Sequence, residues 1–102
     1  MTKIGEMTEA AQLKRLKDTR TAYKGHCTRN IDSAEEIMLE QTPDLDKVRD
    51  ILEAIATRRE KITQIDGQIE AMVESDELEA EITGALNYDD KLASFHNKVS
   101  KR

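Results

Sequence analysis

Apolar side chains recur at alternating spacings of three and four along three stretches of this chain, the signature of helices that bury one face. The clearest stretch carries Leu45, Val48, Leu52, Ile55, Ile62, Ile69 and Val73, flanked by Ile51, Ile65 and Met72. A later stretch keeps the rhythm through Leu78, Ile82, Ala85, Leu92 and Val99, with Leu86 and Phe95 alongside and Asp89 and His96 interrupting it. The first stretch is less regular, running through Leu13, Leu16, Tyr23, Cys27, Ile31, Ala34, Ile37 and Met38 with Arg20 and Asn30 set into the stripe.

Two breaks separate these stretches, Gln41-Thr42-Pro43-Asp44 and Glu74-Ser75-Asp76. At the first, Thr42 is placed to cap the following helix with Pro43 at the first helical position, where its missing N–H costs nothing. At the second, Asp76 and Glu79 have capping-box spacing, and Ser75 is an alternative cap. The pattern predicts an all-α fold, an elongated antiparallel three-helix coiled-coil bundle with helices over roughly 8–40, 43–73 and 76–100. Such helices are rods of about 40 to 50 Å. The expectation is one helical domain over 1–102, with 1–7 flexible.

Charge adds a second line of evidence about arrangement. Residues 14 to 29 carry six bases (Lys14, Arg15, Lys17, Arg20, Lys24, Arg29) against Asp18, a balance of +5. Residues 32 to 46 hold acids without a base, and residues 66 to 81 hold seven acids, again without one. If the chain folds back twice, the first helix runs parallel to the third at an offset of about 66 positions. Lys14, Arg15 and Lys17 then face Glu77, Glu79 and Glu81, while Asp32, Glu35 and Glu36 face Lys98, Lys101 and Arg102. Exposed pairs contribute little energy, so this matching bears on register, and the bland alternative is a set of solvated helix faces. An open coiled-coil dimer is the competing architecture, although a parallel pairing would set the basic segment against its own copy.

The same fold-back brings together the polar residues that interrupt the stripes. Arg20, Arg59, Asp66 and Asp89 form a candidate polar layer: Arg20 lies opposite position 65 on one neighbour and near position 86 on the other, and Arg59 lies opposite position 91. Such a layer selects register over slipped alternatives while adding little net stability. The alternative is that each residue snorkels to water at a stripe edge.

Composition removes several function classes. Charged residues make up 36% of the 102 and aromatics 3%, with a net charge of -5, so neither a thick aromatic core nor a whole-surface nucleic-acid footprint is expected. The one cysteine, Cys27, excludes an internal disulfide and a zinc knuckle, and fits a small core residue better than a nucleophile. His26 beside Cys27 points about 100° away from it on a helix, a poor chelating pair; a site shared with His96 would be a sparse ligand set. No catalytic residue, cofactor site or metal site is expected, and the carboxylates have no aromatic or glycine-lined pocket to tune them. No apolar run is long enough to cross a bilayer, and the opening residues lack a signal-peptide core. The reading is a cytoplasmic protein without a membrane partner. Gly25, Gly67 and Gly84 fall inside helices, either as close-approach points or as tolerated soft spots.

The segment LKRLKDTRTAYKGHCTRNI, Leu13 to Ile31, resembles the opening helix of the Gag-like N-terminal region of Pao/BEL-type LTR retrotransposon polyproteins. The resemblance rests on Arg20, the Lys24-Gly25 pair and Thr28-Arg29, followed by acidic Ala34-Glu35-Glu36, the long helix opening DLDKVRDILEAI, and an acidic helix from Asp76 to Leu92 with Tyr88 and Lys91. It extends over roughly 13–99. It implies a helical, non-enzymatic assembly region of a retroelement Gag, as part of a longer polyprotein or a domesticated derivative, and it carries over no catalytic residue. Asp18-Thr19 is followed by Arg20 rather than Gly, which is not an aspartic protease loop. The expected partner is a second copy of the chain or another helical protein. The alternatives are a cellular coiled-coil adaptor that binds a partner helix, and RNA contact through the basic face Lys14, Arg15, Lys17, Lys24 and Arg29. That contact is not favoured, because no aromatic stacking platform accompanies the bases.

Overall fold

The computed structural model describes residues 8–101; the segment 1–7, expected to be flexible, and Arg102 lie outside the described residues. Three helices follow one another, α1 Glu9–Met38, α2 Leu45–Met72 and α3 Ser75–Ser100. Each starts close to where the hydrophobic rhythm starts, but two caps differ from expectation. Thr8 caps α1 by accepting from the Ala11 N–H at 3.1 Å. Asp44, not Thr42, caps α2, accepting from the Lys47 N–H at 3.2 Å, so Pro43 lies before the helix and not at its first position. A carboxylate at this place also favours the positive end of the helix dipole, which the Thr hydroxyl does not. The N-cap of α3 is Glu74, whose side chain makes no capping bond; Ser75 is already helical, and the Asp76–Glu79 capping box is not formed. The residues around Val73 and Glu74 are extended, leaving too little chain for a longer turn.

α2 is the central element. Of the buried apolar residues, Val48, Ile55, Ile62, Ile65 and Ile69 belong to it, Cys27 and Ala34 to α1, and Leu92 to α3. Their main cluster joins Cys27, Ile55, Ile62 and Leu92, with Tyr23, Ile31, Ile51, Tyr88 and Phe95 packed around it. Cys27 and Ala34 are the small members, and small residues let α1 approach α2 closely; α1 and α2 form the tightest helix pair. As positions on α1 rise, the α2 positions they meet fall: Arg20 reaches Asp66, and Asn30 accepts from Arg58. Every buried side-chain nitrogen or oxygen among the described residues has a hydrogen-bond partner. The molecule measures 62 × 30 × 15 Å. Among the described residues no helix is long and apolar enough to cross a membrane.

Candidate interaction surface

The four interrupting polar residues fall into two separate pairs. Arg20, on α1, places one guanidinium nitrogen 2.9 Å from Asp66 of α2 and 3.0 Å from Glu81 of α3, so a single side chain ties all three helices. Burial works against its charge, but the hydrogen bonds to Glu81 and Asp66 outweigh that cost and raise its pKa above the ordinary value. The side chains are 17% exposed for Arg20, 10% for Asp66 and 17% for Glu81, which makes this an interior cluster. Arg59 instead pairs with Asp89 through two parallel bonds, 2.5 Å from Nε and 2.8 Å from a terminal nitrogen. This fork holds Asp89 below the usual carboxylate range, but its two side chains are 39% and 38% exposed, at the stripe edge. Arg20 thus meets Asp66 and not Asp89, and Glu81 is the partner that sequence reasoning placed instead opposite Lys14, Arg15 and Lys17.

The difference comes from offset. Arg20 and Glu81 are 61 positions apart, and Lys17 to Glu81 and Lys24 to Tyr88 are each 64 apart, smaller than the expected value of about 66 for a two-turn return. The basic face is distributed accordingly. Lys14 turns to its own helix and pairs with Asp18 at 2.7 Å rather than with α3. Lys17 approaches Glu81 at 3.9 Å. Lys24 sits over the Tyr88 ring, 4.5 Å from its centre. Arg29 bonds to His26 Nδ1 at 3.0 Å, and Arg15 makes no ion pair among the described residues. Glu35 and Lys98 line the same cleft near the α1–α2 turn without forming an ion pair.

Cys27 is fully buried beside Tyr88. Burial pushes its thiol up, and burial together with the neighbouring thiol pushes the Tyr88 phenol up to about 12. His96 lines a cavity with Leu45, Val48 and Arg49, while His26 is exposed on α1. Among the described residues no three His, Cys, Asp or Glu side chains gather where they could hold a metal ion.

The apolar surface is uneven. Leu92 is the one buried residue of α3, whereas Leu86 is 60% and Ile82 38% exposed on the same helix, and Leu39 and Leu45 are exposed at the α1–α2 turn. Leu45 is thus a member of the α2 stripe that the fold does not cover. Ile82 and Leu86 border a groove of about 350 Å³ between α2 and α3, whose other walls include Gly67, Glu70, Asp66 and Asp89. A methyl group at Gly67 or Gly84 would meet nothing within 4 Å, and at Gly25 only the Arg29 side chain of the same helix, so none of the three marks a close approach of helices within the molecule. Comparison of the chain with protein-family models, with curated proteins and with solved structures returns no match.

Proposed function

We propose that this chain is a non-enzymatic assembly module, an antiparallel three-helix coiled coil that associates with itself as the Gag-like region it resembles would. The observation that carries the reading is the exposed apolar surface of α3 and of the α1–α2 turn. A helix that buries Leu92 and leaves Ile82 and Leu86 to solvent is incompletely used by its own chain. Covering each such side chain is worth about 1.5–3 kcal/mol when complete, enough for two or three of them to drive association. The antiparallel order is supported by the falling α2 positions met along α1, and the coiled-coil reading by the three- and four-residue spacing of the α2 core. A reducing, cytoplasmic setting suits the free Cys27.

RNA contact through α1 has less support. Lys14 and Arg20 are occupied by carboxylates, Lys17 lies near one, and Lys24 is spread over a ring, which leaves Arg15 and Arg29 as the bases without an acidic partner among the described residues. Light scattering across a concentration series tests the main reading: the mass rises above that of one chain in the micromolar range. A chain that stays monomeric at high micromolar concentration overturns it.

A further inference from the structure

A groove runs along the α1–α2 seam on the side that α3 leaves bare. Its α1 wall is Gln12, Leu16, Thr19 and Tyr23, spaced four, three and four apart, and its α2 wall is Thr57, Lys61, Gln64 and Gln68, spaced alike. Equal helical spacing on two antiparallel helices keeps each wall on one face, so the cleft at Leu16 and the cleft at Tyr23 belong to one groove. The α2 positions on the α3 side, Thr63, Asp66, Gly67 and Glu70, lie roughly half a helical turn away from this wall. The groove is basic, in a protein of net charge -5. Arg15 lines one cleft, Arg58 and Lys61 line the other, and Glu60 is the one acid among the lining residues. None of the three bases forms an ion pair among the described residues; Arg58 bonds to the Asn30 side chain and to the Ala54 carbonyl of its own helix, both uncharged. Leu16, Tyr23 and Met72, each half-buried, supply an apolar floor.

α3 carries the counterpart. Glu79, Ile82, Leu86 and Asp90 follow one another at three, four and four, which sets an acid, two large apolar side chains and a second acid in line on one exposed face of α3. Neither acid forms an ion pair among the described residues. Arg59 feels the charge of Asp90, but its fork is filled by Asp89. The stripe is about 16 Å long and the α2 wall of the groove about 22 Å, so the stripe fits inside with one acid toward each cleft. An acidic helix is drawn to uncompensated bases there, and a basic one is repelled.

We infer that the α1–α2 groove receives the α3 stripe of a second copy of this chain, with Ile82 and Leu86 on the apolar floor and Glu79 and Asp90 toward the bases of the two clefts. The inference rests on the self-association reading above and adds which surfaces meet. The groove lies on the side of the α1–α2 pair away from α3, and the stripe on the outside of α3, so one pair of molecules does not satisfy both surfaces of both copies. Each copy offers its groove to one neighbour and its stripe to another, and the contact propagates one way, head to tail.

Sedimentation velocity over a concentration series tests it in the full chain, with helicity checked by circular dichroism. The wild type passes beyond the dimer to larger species. Leu86→Ser changes a side chain that the monomer already exposes, so the thermal midpoint at low concentration holds while association weakens by about tenfold or more. Charge reversal gives the second test: Arg15→Glu/Lys61→Glu and Glu79→Lys/Asp90→Lys each weaken assembly alone, and their equimolar mixture recovers it, because every groove in the mixed chain again meets a stripe of opposite charge. A wild type that stays monomeric throughout, as it would if a different acidic helix filled the groove, overturns self-association and this inference together. A wild type that stops at the dimer, a Leu86→Ser chain with unchanged affinity, or a mixture that shows no recovery overturns the groove assignment and leaves self-association standing.

Discussion

Replacing Arg20 by Met is the most informative perturbation of the fold. The guanidinium is the shared partner of Asp66 and Glu81, and all three side chains are at least four-fifths covered. Removing it strands Asp66 in the interior and leaves Glu81 with only Lys17, 3.9 Å away, as a basic neighbour. Breaking a fully buried pair costs about 3–5 kcal/mol, and the residual exposure here, with the apolar gain from the methionine, brings the expected loss to about 2–3 kcal/mol. For a chain of this size that lowers the thermal midpoint by roughly 10–20 °C. Arg59→Met, like Asp89→Leu, acts on a pair whose members are more than one-third exposed, where solvent screening leaves less than about 1 kcal/mol. Replacing Arg20, Asp66 and Glu81 together by Met restores most of the loss, since no interior carboxylate is then left without a partner and Lys17 is exposed enough to be solvated. Thermal unfolding followed at 222 nm, at one fixed low chain concentration, reads all of these. An Arg20→Met midpoint within about 2 °C of wild type, or an equal loss in Arg59→Met, would refute the assignment of Arg20 to the interior.

The remaining predictions concern single groups. Cys27, fully buried with its thiol pKa raised, reacts with an aromatic disulfide reagent only through opening of the helices, so native labelling is slow and accelerates with denaturant; prompt stoichiometric labelling in native buffer would contradict its placement. Asp89 has a folded pKa held below its ordinary 3.8 by Arg59, so its contribution is present above that value and is lost as pH falls through the lower folded value. Asp89→Asn therefore flattens the acid limb of the stability curve by a small amount, and an unchanged limb argues against the pair. Gly84→Ala places a methyl group in open space on an exposed helical position and stabilises by about 1 kcal/mol, measured by urea unfolding; a loss would show that position 84 is needed for something other than helix formation.

Much of the fold was legible because α2 writes its buried face plainly: Val48, Ile55, Ile62 and Ile69 keep the spacing that any packed helix must keep. The partnership of Arg20 with the α2 residue beside position 65 was legible for the same reason, as an antiparallel return from one turn fixes which positions meet. Errors accumulate with each turn. The α1–α3 offset depends on both turns and on how far the helices splay, and it came out at 61 to 64, which moved Glu81 onto Arg20 and left Lys14 to its own helix. The caps lie one or two positions from where the sequence places them: Thr42 and Asp44 are both competent and the turn selects Asp44, while at α3 the tight turn starts the helix after Glu74, ahead of the competent Ser75 and Asp76. The exposed state of Leu86 and Ile82 could not be read at all, since periodicity says that a face is apolar and is silent on which molecule covers it.

The uneven sharing of the core sets an order in which the molecule comes apart. α1 and α2 hold each other through a close seam, whereas α3 contributes one fully buried residue, Leu92, with Tyr88 and Phe95 half-buried beside it, and is tied on by Glu81 to Arg20 in the interior and by Asp89 to Arg59 at the edge. Amide protons of α3 therefore exchange with solvent before those of α2, through an opening in which α3 swings out and the α1–α2 hairpin persists. That hairpin, with its freshly uncovered Ile62 and Cys27, is a template for the third helix of whichever chain arrives first, so the same opening that costs a lone molecule little also lets neighbouring molecules trade helices without either of them unfolding completely.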